Sequence, residues 1–289
     1  MRATASPDIR RLLPVTYPDD LPDHPSPARP LSGRVAVVTG VSRRRGIGFA
    51  VAARLASMGA DLVVHHFAPH DAAQPWGSDD VAEVLDELRD RLTPGARLVD
   101  VSLDLGQADA PQALVAAGVA AFDHLDVLVC NHARSGGDGR LADVTAEMLD
   151  AHWNVNARAT LLATRAFAAQ HDGRPGGRVV WMTSGQLQGP MSGMIAYAAS
   201  KAALAGVTAS VAADLAERGI LLNTVNPGPV NTGYLDDLSD PGIAGVHASF
   251  PGGSAGEPDD PARLIAWLVS DEGRWVVGQT LSSEGGFRR

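Results

Sequence analysis

Short β-branched apolar runs alternate with alanine-rich stretches of helical period from residue 31 onward. Runs at 35–38, 62–65, 97–101, 127–130, 178–181 and 221–225 read as strands. Segments 46–58, closed by Gly59, and 80–92 read as helices. Strands that are almost wholly apolar suit burial on both faces, which predicts a parallel sheet covered by helices on each side. The pattern therefore predicts one α/β, doubly wound domain over 31–289, with a sheet of about seven strands. Residues 1–30 stand apart. Pro7, Pro14, Pro18, Pro22, Pro25, Pro27 and Pro30 remove amide donors and block helix, which predicts an extended or disordered extension, or an arm around a neighbouring subunit.

Composition narrows the partners. A net charge of −9 argues against a nucleic-acid surface or an anionic membrane. Cys130 is the only cysteine, so no intrachain disulfide or CxxC metal pair can form, and a reducing cytoplasm is the expected location. Residues 1–14 carry arginine without an apolar core, so no secretory leader is expected, nor a stretch long enough to span a bilayer. His65, His66 and His70 lack ligand partners at metal spacing, and no metal is expected.

Directly after the first strand, Thr39-Gly40-Val41-Ser42-Arg43-Arg44-Arg45-Gly46-Ile47-Gly48 runs into a helix. Glycines let a backbone approach a pyrophosphate, and a helix start offers free amides and a positive dipole end. This predicts a Rossmann-like dinucleotide site. The second strand ends Val64-His65-His66-Phe67, without the carboxylate that binds a ribose 2′-hydroxyl, while Arg43, Arg44 and Arg45 could clamp a 2′-phosphate. NADP(H) is favoured over NAD(H).

Of 24 basic residues only Lys201 is lysine, four residues after Tyr197. At that helical spacing phenol and ammonium share a face, and a cation favours the phenolate. That is one way to make a tyrosine an acid or base near neutral pH.

With Ser184 thirteen residues before Tyr197 and Asn156 upstream, the chain resembles the short-chain dehydrogenase/reductase family, in its 3-oxoacyl-ACP-reductase-like branch with a Tyr-x-x-x-Lys motif. The resemblance covers 31–289. It implies that Tyr197 donates a proton to a carbonyl oxygen, that Ser184 stabilises the same oxygen, that Lys201 lowers the phenol pKa, and that Asn156 holds a relay water. It further implies cofactor contacts from Gly40, Ser42, Arg43, Arg44, Arg45, Gly46, Ile47, Gly48, His66, Asp104, Leu105, Asn131, Tyr197 and Lys201. Pro227, Gly228, Val230 and Thr232 would hold the nicotinamide end. The expected substrate is a small carbonyl or secondary alcohol, mostly apolar given Met191, Met194, Ile195, Leu235, Ile243 and Phe250 in the loops after strands five and six.

Family members are commonly homodimers or homotetramers, and the alanine-rich stretch 198–216 suits such packing and equally suits one subunit's core. A cofactor-binding regulator without turnover, or a non-redox epimerase, uses the same binding motifs; the complete set of proton-transfer groups argues for turnover. Two departures stand out. Five residues separate Gly40 from Gly46 where the family has three, and Asn131-His132-Ala133-Arg134 replaces Asn-Asn-Ala-Gly. Arg134 either turns outward or adds a cation near the substrate entrance. Segment 67–78 is read as a long loop beside the adenine side, either covering the cofactor or packed on the surface, with surface packing favoured.

Overall fold

The computed structural model describes residues 29–288, so the expectation for residues 1–28 falls outside them. Its strands are β1 (Val35–Thr39), β2 (Asp61–His66), β3 (Leu98–Ser102), β4 (Val127–Cys130), β5 (Gly177–Met182), β6 (Ile220–Asn226) and β7 (Thr280–Ser282). They form one sheet in the order β3-β2-β1-β4-β5-β6-β7. Every neighbouring pair is parallel. The six strands predicted from the sequence are present with ends shifted by a residue or so, and β7 joins them at the edge. β7 is only three residues long and partly exposed, so it carries little of the apolar signal that marks the others.

The helices are α1 (Ile47–Ser57), α2 (Ala68–Ala72), α3 (Val81–Arg89), α4 (Ala110–Phe122), α5 (Ala146–His152), α6 (Ala159–Gln170), α7 (Ile195–Ala216), α8 (Pro241–Ala248) and α9 (Asp259–Val269). Alternate strand residues serve two cores, as the two-residue period demands. Ala36, Val38, Val127 and Val129 pack with α1, α3 and α9; Val35, Val37, Leu128 and Trp181 pack with α4, α6 and α7. Local chemistry sets the ends. Asp80 accepts from the Ala82 amide at the start of α3, and Thr145 accepts from Met148 at the start of α5. α5 continues into α6 through a π-helical stretch, Trp153–Arg158, a device that often re-aims side chains at functional sites. By length and composition α7 could cross a bilayer, contrary to the sequence expectation. In this fold it lies against the sheet, with Lys201 and Leu204 buried.

Strand order reverses between β1 and β4, and a web of side chains holds the opening. Thr39 Oγ1, at the end of β1, accepts from the amides of Asn131 (2.9 Å) and His132 (3.1 Å) and meets His132 Nδ1 at 2.7 Å. His132 Nε2 lies 3.0 Å from the Val155 carbonyl, which can only accept. The proton therefore sits on Nε2, and Nδ1 accepts from the threonine hydroxyl. Burial holds His132 neutral with a pKa near 3, helped by nearby His65 and Lys201 and opposed by the Val155 carbonyl. Burial likewise lowers His65 to about 4.

Both histidines bind protons more readily unfolded, near 6.5, than folded. Their stabilising effect is thus complete above pH 6.5 and is lost as pH falls through that value towards 4, each contributing a slope approaching about 1.4 kcal/mol per pH unit. Urea unfolding between pH 7.5 and 4.5 should show this loss, and His132→Gln should flatten it; an unchanged slope in the variant would contradict the assignment.

Candidate active site

At the reversal, where ligands bind in open α/β sheets, a cleft of about 480 Å³ opens between the loops after β1, β2 and β4. Gly40, Ser42, Arg43, Gly46 and Ile47 line one wall, Asp104 and Leu105 another, and Asn131 and Thr232 close the end. Gly40 has φ +73°, and a Cβ there would sit 3.0 Å from the His132 Cα. At Gly48 a Cβ would come within 2.2 Å of the Gly40 carbonyl oxygen. Asn131 Nδ2 donates to the carbonyls of Thr39 (3.0 Å) and Gly40 (3.2 Å), tying the loop to β4. No side chain caps α1, whose first turn follows Gly46. Its amides and positive dipole end are therefore free to take a phosphate.

The three loop arginines separate. A turn in which the Gly46 amide donates to the Arg43 carbonyl carries Arg44 and Arg45 away from the cleft. Arg44 is held by Glu83, with Glu87 at 3.5 Å, and Arg45 forks onto Asp236 at 2.6 and 2.8 Å. Arg43 alone of the three lines the cleft, donating to the Thr232 carbonyl at 2.7 Å and lying 5.6 Å from the centre of the Trp76 ring. Burial lowers its pKa, against the pull of Asp71 and Asp79.

Of the two readings of segment 67–78, the structure follows the one that places it over the cleft rather than the favoured surface packing. The segment forms α2, with Pro69 in its first turn, and Phe67, His70, Gln74 and Trp76 wall the cleft. Trp76 also meets Tyr234, ring centres 6.3 Å apart. At the end of β2 it is His65 that faces the cleft; the His66 ring turns to Asp100 on β3 at 3.2 Å, because adjacent strand residues face opposite sides.

Three of the groups expected to move protons come from two elements. Ser184 follows β5, Tyr197 lies in the first turn of α7, and Lys201 stands one turn on. Lys201 is buried, donates to the Met182 carbonyl at 2.9 Å, and lies 5.8 Å from the Tyr197 ring centre. Burial lowers its pKa to about 8, with Cys130 acting in the other direction. Tyr197 departs from expectation: burial raises its pKa, and the Ser184 hydroxyl, rather than Lys201, opposes the rise.

Asn156 sits in the π-helical stretch with its amide fully engaged. Its Oδ1 accepts from the Arg134 amide at 2.6 Å, and its Nδ2 donates to Ser200 Oγ at 2.9 Å and to the Arg134 carbonyl at 3.2 Å. It braces the loop after β4 with this side chain. Beyond β6, the Gly228 amide donates to Asn226, and Val230, next to Pro227-Gly228-Pro229, bridges to Gly256.

Several neighbours stand outside the expected site residues, and of the two orientations posed for Arg134 the inward one holds. Arg134 turns inward to the cleft, with Nε buried and no hydrogen-bond partner. Asp138 accepts from the Tyr197 amide at 2.7 Å, and buried His152 meets the Tyr197 ring edge-on, centres 6.4 Å apart. The loops after β4, β5 and β6 expose Leu141, Leu187 and Leu238.

Comparison with known proteins agrees with this layout. A family profile described as enoyl-(acyl carrier protein) reductase matches residues 40–288. An uncharacterized oxidoreductase of Bacillus subtilis is 36% identical over 258 residues, covering 89% of this chain and 97% of the relative. The NADPH-dependent aldehyde reductase-like chloroplastic protein of Arabidopsis thaliana is 32% identical, covering 90% of this chain and 96% of its own. A short-chain dehydrogenase of Burkholderia cenocepacia, crystallised with NADP, superposes with a TM-score of 0.76 at 36% identity, covering 89% of this chain and 98% of that one. With the switch-point cleft and the Ser184, Tyr197 and Lys201 arrangement, these matches show that the chain belongs to the short-chain dehydrogenase/reductase family of oxidoreductases.

Proposed function

We propose that this protein is an NADP(H)-dependent ketoreductase, transferring hydride between the nicotinamide and an apolar carbonyl compound or its secondary alcohol. The observation that carries this reading is the convergence of Ser184, Tyr197 and buried Lys201 on one another; none of the three lines the glycine-walled cleft, but Lys201 acts on His132, which does. The cleft suits a dinucleotide: Gly40 in its wall and Gly48 just behind it leave no room for side chains, and Arg134, which lines it, has an Nε without a partner. Gly40, Ser42, Gly46, Ile47, Asp104, Leu105 and Asn131 would hold the cofactor, with Pro227, Gly228, Val230 and Thr232 at the nicotinamide end. Arg43 supports NADP, being a guanidinium in the cleft with no carboxylate partner among the described residues. The NADP-bound and NADPH-dependent relatives point the same way.

Bound there, the nicotinamide supplies or accepts the hydride. Tyr197, whose raised pKa keeps it protonated at neutral pH, gives its proton to the carbonyl oxygen. The Ser184 hydroxyl donates to that oxygen as negative charge develops. Lys201 stabilises the phenolate left behind, its charge held in place by the Met182 carbonyl. In the reverse direction the phenolate takes the proton of the alcohol. Exposed Leu141, Leu187 and Leu238, with Met191 Sδ at 4.0 Å from Ser184 Oγ, support an apolar substrate. The same reading takes the protein as a homodimer or homotetramer, in which Leu149, Trp153 and Val207 would be covered.

With NADPH and a panel of apolar ketones, Tyr197→Phe should lower kcat by roughly a thousandfold or more while leaving NADPH affinity within about twofold. Lys201→Arg should lose most of the activity despite keeping the charge. Normal turnover in either variant contradicts the roles given. Arg43→Ala should weaken NADPH at least tenfold with little effect on NADH, whereas Arg44→Ala should leave both nearly unchanged; an equal loss of NADPH and NADH for Arg43→Ala would remove the basis for NADP preference.

A further inference from the structure

The first turn of α7 carries Tyr197, yet its own N-cap, Met194, provides no side-chain hydrogen bond. The missing acceptor comes from 59 residues away. Asp138, in the loop after β4, accepts from the Ala196 amide (3.0 Å) and the Gly139 amide (2.8 Å) on Oδ1, and from the Tyr197 amide (2.7 Å) on Oδ2. Its side chain is only 6% exposed. Burial raises the pKa of such a carboxyl, but the amides of Tyr197, Ala196 and Gly139, with His152, overcome this and hold it below the usual carboxylate range. An anion here also faces the positive end of a 22-residue helix.

His152 completes the arrangement. Its side chain is wholly buried at the end of α5. Nδ1 lies 2.9 Å from the Met148 carbonyl, so Nδ1 carries a proton. Nε2 has no hydrogen-bond partner and faces Asp138 Oδ2 at 4.0 Å, while the ring stands at 87° to that of Tyr197. The charged or titratable groups around it are Asp138 from the β4 loop, Tyr197 from α7 and His70 from α2, with Arg134 beyond His70. A buried carboxylate and a buried imidazole ring thus both bear on one residue, one through its amide and the other through its ring. Neither side chain lines the cleft.

We propose that Asp138 and His152 are positioning residues for Tyr197: Asp138 fixes the backbone of the first turn of α7, and His152 fixes the phenol ring and closes the carboxylate's open side. The inference rests on the reading of Tyr197 as the proton donor. A donor whose amide and ring are both held points its hydroxyl in one direction, and small misplacements of such a group lower kcat steeply.

Asp138→Asn and Asp138→Ala test this, compared with wild type and Tyr197→Phe. In the asparagine variant the amide oxygen can still accept from Gly139 and Ala196, but the amide nitrogen opposes the Tyr197 N–H, so α7 is kept while the catalytic residue is released. Expected is a fall in kcat of at least tenfold in both variants, with the NADPH Kd from fluorescence quenching within about twofold of wild type. His152→Phe, which keeps a ring and drops Nε2, should lower kcat too, and the Asp138→Asn/His152→Phe double variant should lose less than the product of the single losses.

A second readout does not need turnover. The absorbance titration of the Tyr197 phenol, taken as the difference from Tyr197→Phe, should move downward in Asp138→Ala as the ring becomes hydrated. Turnover within twofold of wild type in Asp138→Asn, an NADPH Kd that rises as much as kcat falls, an unmoved phenol titration, or unfolding of both variants would each overturn the proposal. A wild-type protein that transfers no hydride but shows the titration shift would instead overturn the ketoreductase reading and leave the positioning role standing.

Discussion

Thr39, at the carboxyl end of β1, is the fixed point from which the site is built. The loops after β1 and β4 leave the sheet in opposite directions, and backbone groups freed at that parting must find partners or carry the penalty of burial. One hydroxyl accepts two amides of the β4 loop and meets the imidazole of His132, whose far nitrogen lies on the Val155 carbonyl next to Asn156. Asn156 in turn holds both backbone groups of Arg134 and reaches Ser200 on α7. The chain of contacts runs from the glycine loop to the helix that carries Tyr197 and Lys201. His132 works here only as a neutral ring, donor on one side and acceptor on the other, which is what its burial enforces.

The second constraint is the burial of one cation. Lys201 is 2% exposed, and no carboxylate pairs with it among the described residues. The Met182 carbonyl, at the end of β5, supplies its hydrogen-bond acceptor. Burial lowers its pKa and raises that of Tyr197, so the resting state of the pair is ammonium beside neutral phenol near pH 7. This reverses the simple idea that lysine makes tyrosine acidic at rest. On the proposed reading the cation would act on the charge that forms once the phenol has given up its proton, when a unit negative charge would otherwise stand in a low-dielectric site. An arginine, with a wider planar head and more donors to satisfy, does not fit a pocket built for one ammonium and one carbonyl.

Much of this was legible in the chain itself. The strands of the sheet announced themselves because burial on both faces makes them almost wholly apolar, and Tyr197 and Lys201 because spacing on a helix is a local property. What escaped depends on long-range contacts. Asp138 sits 58 positions from Ala196 and carries no motif, so nothing local ties it to α7. His152 looks like an ordinary helix residue until the fold turns it on Tyr197. The segment after β2 has loop composition, with Pro69, Pro75 and Trp76, yet its short helix walls the cleft because Pro69 falls in a first turn, where a missing amide donor does no harm. His66 stays out of the cleft for a simpler reason: a shift of one residue along a strand changes the face, and it is His65 that lines the cleft.

The loop arginines show how little a run of like charges says about its use. Arg43, Arg44 and Arg45 read as one clamp, but a turn between Arg43 and Gly46 points them apart. Arg44 and Arg45 meet carboxylates in exposed pairs, of the kind that contributes about 0–1 kcal/mol and is screened by salt. Arg43 is different because it is half-buried beneath Trp76 and anchored by a carbonyl, with no ion pair of its own and only the more distant pull of Asp71 and Asp79. Burial already lowers its pKa, so an anion entering the cleft would relieve an unfavourable environment as well as gain an attraction. The two residues added to the glycine loop thus lengthen the turn enough to separate one arginine that serves the cleft from two that fasten the loop to α3 and to Asp236.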